Sequence, residues 1–136
     1  MLNSKRFMIV FTANCLQRCP NAEVRNLVAS ILHTKEVYRN KGVFDWLRGD
    51  TGMRLRVDAY FTEHKLVVEY HGKQHFKPSN FMDRRPGRAE QRRRYTVLRR
   101  KLIPRHGLKL LEIRYDEPLT KEYITKKLKE MGLTYK

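Results

Sequence analysis

The sequence predicts a mixed α/β domain: a small β-sheet flanked by helices, in one unit. Three observations carry this. Arg54–Phe61 alternates strictly, with Leu55, Val57, Ala59 and Phe61 on one side and Arg54, Arg56, Asp58 and Tyr60 on the other. Lys65–His71 is a second run rich in apolar and β-branched residues, closed by Gly72. Helical apolar spacing appears on both flanks of this pair. The expected order is helix, hairpin, helix, strand, helix.

The first helix is predicted over 22–33, where Val24, Leu27, Val28, Ile31 and Leu32 fall on one stripe and Pro20-Asn21 marks its start, with Asn21 as N-cap. Residues 34–53 carry Tyr38, Arg39, Lys41, Phe44 and Trp46 around Gly42, then Gly49-Asp50-Thr51-Gly52. This reads as a loop or short strand followed by a turn, with Phe44 and Trp46 as packing residues. The hairpin follows, its tip at Glu63-His64. Residues 77–87 form a loop with Pro78, Pro86 and Gly87. A second helix runs from about Arg88 to Ile103, ended by Pro104. His106-Gly107 leads into a third strand, Lys109–Tyr115, with Leu111 and Ile113 inward. Thr120 caps a final covering helix over about 120–131, on which Tyr123, Ile124, Leu128 and Met131 recur at helical spacing.

Composition narrows the function classes. The 136 residues hold 30 Lys and Arg against 14 Asp and Glu, a net charge of +16, which calls for a polyanionic partner, most simply nucleic acid. An anionic membrane surface is the competing partner, but no apolar run approaches the roughly 20 residues a spanning helix needs, so no membrane-spanning helix is expected. Phe7–Phe11 is a short apolar run without a small-residue cleavage site, so an intracellular, non-secreted protein is expected. Cys15 and Cys19 lack two further ligands at zinc spacing and are expected as reduced thiols.

The hairpin gathers the chemistry. With its tip at Glu63-His64, Asp58 lies directly opposite Glu69. Opposed residues have Cβ atoms roughly 4.5–5.5 Å apart, where like charges destabilise. A divalent cation between the two carboxylates would remove that conflict, and hard oxygen ligands suit Mg²⁺. A solvated pair neutralised by Arg56 and nearby Lys residues is the alternative. His71, Lys73, Gln74 and His75 follow at the strand exit, where an imidazole could act as a base or position water. Glu23 taken alone is an acid favoured by the first-turn helix dipole. From Arg84 to Arg105 there are ten Lys or Arg and one acid, Glu90. That density without acidic partners points to phosphate contact.

Asp58, with Glu69 eleven residues on and a polar residue two further, resembles the PD-(D/E)XK nuclease core; His71 stands where that pattern usually has Lys. The string Val67–Phe76, VVEYHGKQHF, is similar more narrowly to the phage-encoded and homing endonucleases of the EDxHD type, relatives of the very-short-patch repair endonucleases. Their E-Y-x-G-x-Q-H-F pattern is met by Glu69, Tyr70, Gly72, Gln74, His75 and Phe76. Weaker likeness extends over about 22–117. It takes in the helix with Glu23, the basic-aromatic run Tyr38-Arg39, Lys41 and Phe44, and the strand after His106-Gly107. One departure stands out: the second-helix Asp of such proteins falls at Thr96, whereas the Lys three residues later falls at Arg99.

The resemblance implies a restriction-endonuclease-like fold, single and small. It also implies Mg²⁺-dependent hydrolysis of DNA phosphodiesters, with Mn²⁺ as a substitute metal, by a protein of phage or mobile-element origin. Asp58 would bind the metal, with Glu69 or the Tyr70 carbonyl as a second oxygen. His75 would be the base, with His71 as alternative base or phosphate contact. Glu23 would reach a water of the metal, and Gln74 and Lys73 would position the phosphate. Lys73, Lys77, Arg84, Arg85, Arg88, Arg92, Arg93, Arg94, Arg99 and Arg100 are the expected DNA contacts. The substrate is a duplex with a long site, a mismatch or nick, or a branch; reading a site at this size would need loops, a homodimer or a partner protein. The competing function is a non-catalytic nucleic-acid binder derived from such a nuclease. The absent helix acid favours it; the retained Asp58, Glu69, His71, Gln74 and His75 oppose it.

Overall fold

The computed structural model of the chain describes residues 19–73 and 87–133. Phe7–Phe11, Cys15, Gln74, His75, Lys77, Arg84 and Arg85, all given roles by the sequence, lie outside the described residues. The described elements are α1 (Pro20–Leu32), β1 (Val37–Lys41), β2 (Val57–Phe61), a 3₁₀ turn (Thr62–His64), β3 (Leu66–His71), α2 (Arg88–Arg105), β4 (Lys109–Arg114) and α3 (Lys121–Glu130). The four strands form one mixed sheet in the order β1-β2-β3-β4. The first two pairings are antiparallel, and β3 and β4, joined through α2, run parallel. Helix-flanked mixed α/β architecture is therefore observed, and 34–53 resolves into β1 followed by a packed loop.

Helices close both faces of the sheet. On the first face, Val24, Val28, Ile31 and Leu32 of α1 and Ile124 and Leu128 of α3 bury against Ala59, Phe61, Leu66, Val68, Leu111 and Ile113. On the second face, Ile103 of α2 joins Val67, Val57, Leu55, Leu47 and Phe44, with Leu98, Leu102 and Leu110 alongside. Three helix ends have a local cause. Pro20 sits in the first turn of α1, where its missing N–H costs nothing, and His33 stops the helix in the left-handed region at φ 54°. In α3 the Thr120 side chain accepts from the Tyr123 N–H at 3.2 Å. The loop before β2 is pinned to α2: Trp46 stacks on His106 with centroids 3.8 Å apart. Tyr95 Oη accepts from the Asp50 N–H at 2.9 Å. Gly49 makes that approach possible, since a Cβ there would lie 2.7 Å from Tyr95 Oη.

Three expectations are corrected. The N-cap of α1 is Cys19, and Asn21 already lies within the helix. Pro104 does not end α2 but lies inside its last turn, which runs on to Arg105. The absent Pro N–H removes one ladder bond near an end that would soon lack partners anyway. Leu55 and Val57 do not share a core with Ala59 and Phe61: the former pack under α2 and the latter under α1 and α3. Regular pairing with β3 is confined to Ala59–Phe61, so simple alternation fails where the strand begins.

Candidate active site

β2 and β3 pair with Ala59 opposite Val68, Tyr60 opposite Val67 and Phe61 opposite Leu66. Carried one step further, this register sets Asp58 against Glu69, as the hairpin reading required. The ladder ends there, and the two side chains take over its work. The Tyr70 N–H donates to Asp58 Oδ2 at 2.6 Å, and the Asp58 N–H donates to Glu69 Oε2 at 3.3 Å. Each carboxylate thus accepts from the backbone of the opposite strand.

Both acids open into a cleft of about 490 Å³. Its walls are the start of α1 (Pro20, Asn21), Arg56 before β2, the exit of β3 (Tyr70, Gly72, Lys73), Arg99 of α2 and Tyr115. Asn21 reaches Asp58 with a side-chain hydrogen bond. Glu23 lies two residues beyond Asn21 in α1, half-buried, where its charge adds to burial in raising the Tyr70 phenol.

Electrostatics mark this cleft out. Glu69 is 6% exposed. Burial, reinforced by the Asp58 and Glu112 charges, pushes its carboxyl up to about 8 in spite of Arg99. Burial likewise raises Asp58, against the Tyr70 N–H and the Arg99 and His71 charges. Arg99 is the cation nearest to hand: its Nε stands 3.7 Å from Glu69 Oε2, and its Nη2 donates to the Arg56 carbonyl at 2.9 Å.

Behind the cleft lies a second charged layer. His71 is 2% exposed, and its Nε2 lies 3.1 Å from Glu112 Oε2 on the parallel neighbour β4. Arg100 Nε grips the same carboxylate at 2.8 and 3.0 Å. These bonds overcome burial and hold Glu112 below its ordinary range. An ionised carboxylate only accepts, so Nε2 of His71 carries a proton. Burial sets this imidazole behind the cleft and not in its lining.

Of the expected DNA contacts, Lys73 and Arg99 line the cleft. Arg88, Arg93, Arg94 and Arg100 are exposed along α2, and Arg92 is half-buried. Acidic partners absent from the local sequence arrive from distant segments: Asp50 for Arg94 at 2.7 Å, Glu112 for Arg100, and Glu69 for Arg99. Sequence reasoning missed Glu112 as a site neighbour and took Asn21 only for a cap. Glu112 carried a usable signal, since an acid inside an otherwise apolar strand run asks for a partner. Among the described residues no group of three or more His, Cys, Asp or Glu side chains converges as a metal cage would. Among them, too, no helix is long and apolar enough to cross a membrane.

No family model matches the chain, and no solved structure matches it. The chain is similar to the uncharacterized protein 094L of Frog virus 3 (isolate Goorha), 30% identical over 95 residues, or 68% of this chain. It spans 59% of the length of that relative.

Proposed function

We propose that the protein is a metal-dependent DNA endonuclease of restriction-endonuclease-like fold, with Asp58 and Glu69 at its centre. One observation carries the reading: two neighbouring carboxylates, both raised by burial, open into a cleft whose other charged walls are Arg56, Lys73 and Arg99. Acids next to a phosphate-binding surface repel the ligand unless a cation stands between them. The donor set fits a hard ion, because Mg²⁺ is usually held by one or two carboxylates with water and substrate phosphate completing its shell. Asp58 and Glu69 would hold it. Such an ion polarises a phosphoryl oxygen and stabilises the leaving oxyanion.

The chain's own residues do the rest. Tyr70 and Asn21 fix Asp58 by hydrogen bonds, and the Asp58 N–H fixes Glu69. Lys73 and Arg56 supply positive charge where the DNA backbone enters. The exposed arginines of α2 extend that surface, since exposed ion pairs are weak enough for phosphate to replace the carboxylate partner. His75 remains the proposed base and Gln74 a positioning group, on the strength of the resemblance. The similarity to a viral protein accords with a chain carried by a virus or mobile element.

The second reading, a non-catalytic nucleic-acid binder, draws support from Arg99. A guanidinium against Glu69 gives the acids a resident counter-charge without any metal. Supercoiled plasmid incubated with Mg²⁺ or EDTA, beside an Asp58→Ala control, separates the two. Nicking or linearisation that needs both the metal and Asp58 is the expected result. Intact plasmid, together with intact mismatched and branched duplexes, would leave the binder as the account.

A further inference from the structure

Arg99 and Glu69 form a pair that neither partner completes. Both side chains are largely buried, at 16% and 8% exposure. At 3.7 Å their closest atoms attract as charges but are too far apart for a hydrogen bond. Arg99 Nε is fully enclosed and has no hydrogen-bond partner among the described residues. A buried N–H without an acceptor is costly and uncommon. The neighbouring Nη2 donates to the Arg56 carbonyl at 2.9 Å, and Arg56 and Arg99 both line the cleft. The cleft therefore holds a donor that wants an oxygen and an acid that wants a cation, and each stands in for the other's missing ligand.

We infer that Arg99 is a resident counter-ion whose exchange couples the two ligands of this cleft: DNA phosphate draws the guanidinium off Glu69 and frees the carboxylate for a divalent cation. The inference rests on the nuclease reading of the site. Before DNA arrives, the positive charge of Arg99 opposes a cation at Glu69. Once a phosphate oxygen draws the Arg99 guanidinium to itself, that charge is neutralised and the opposition falls. Metal and DNA then bind with positive coupling, and by linkage each tightens the other by the same factor. The device would keep the empty enzyme from holding a metal ready to cut.

The test is calorimetric titration of Ca²⁺, a hard oxygen-seeking ion, into the full chain at pH 8.5, with and without a duplex oligonucleotide. Wild type, Arg99→Gln and Arg99→Lys are compared, with circular dichroism confirming that each variant folds. Wild type should bind Ca²⁺ about tenfold more tightly when DNA is present. Arg99→Gln should bind it about tenfold more tightly without DNA and lose most of the coupling. Arg99→Lys, which keeps the charge, should retain coupling. A divalent ion gains twice what a proton gains when a nearby positive charge is removed, so proton competition does not reverse the sign. Unchanged or weaker Ca²⁺ binding by a folded Arg99→Gln would overturn the inference, as would a wild-type affinity indifferent to DNA. If plasmid cutting by wild type persists beside either of those results, the nuclease reading stands and only the coupling falls. Coupling without cleavage of any duplex would have the opposite meaning.

Discussion

The two faces of the sheet are built from the same strands and obey different rules. Along β3, Leu66 and Val68 enter the core beneath α1 and α3, with Tyr70 packed at its edge, whereas Val67, Glu69 and His71 face α2. Along β4, Leu111 and Ile113 share the first face, and Leu110 and Glu112 the second. The buried core of the first face is apolar, and polar groups of α1 enter only at its cleft end, where Asn21 meets Asp58. The second is apolar only at the end where Val67 meets Ile103, and beyond that it buries Glu69 and His71. Burying ionisable groups costs free energy unless each is paired. One face holds the fold together, while the other gives up part of that stability to keep acids at hand.

Truncation on the first face should have the largest effect. Phe61 is fully enclosed, so Phe61→Ala should destabilise by about 3–5 kcal/mol, read as a lowered midpoint in urea at unchanged slope. A loss under 1 kcal/mol would mean that this face is not the main source of stability. On the second face the sign should reverse. The folded pKa of Glu69, about 8, exceeds its ordinary 4.5, so the native state binds more protons than the unfolded state between those values. Wild-type stability from this group is therefore present at low pH and is lost as pH rises from about 4.5 through 8, by roughly 1.4 kcal/mol per unit. Glu69→Gln escapes this loss. It should be more stable than wild type by a few kcal/mol above pH 8 and nearly equal to it at pH 5, with thermal melts at both pH values as the check. The smallest effect belongs to Glu112→Gln. An amide oxygen can still accept from His71 and Arg100 but without charge, so about 1 kcal/mol should be lost. The ¹⁵N shifts of His71 should move with it; unmoved shifts would show that Glu112 does not set the imidazole's protonated nitrogen.

Much of this was legible in the sequence where the determinants are local. The period-two run and polar tip placed Asp58 against Glu69, because a hairpin's register follows from its turn. Helical spacing found α1, α2 and α3, and Thr120 marked its cap. What stayed hidden depends on contacts distant along the chain. The basic run in α2 looked unpartnered because Asp50, Glu69 and Glu112 lie far from it in sequence. The parallel pairing that sets Glu69 against Glu112 is made through a helix, and no turn dictates its register. The departure of Leu55 and Val57 from the face of Ala59 was invisible to a pattern that assumes one continuous strand.

The parallel pairing of β3 with β4 has a consequence for the order in which the chain assembles. β1, β2 and β3 are antiparallel neighbours, and the β2–β3 turn spans only a few residues. β4 can join only after α2 has been carried across the sheet, and closing the longer loop is slower. On that ground the hairpin is expected to bring Asp58 and Glu69 together before Arg99, Arg100 and Glu112 arrive. During that interval two acids approach each other without the cation that later stands beside them. Alkaline conditions, which keep both charged, should hold the chain back at this step, and the late-docking helix would release it.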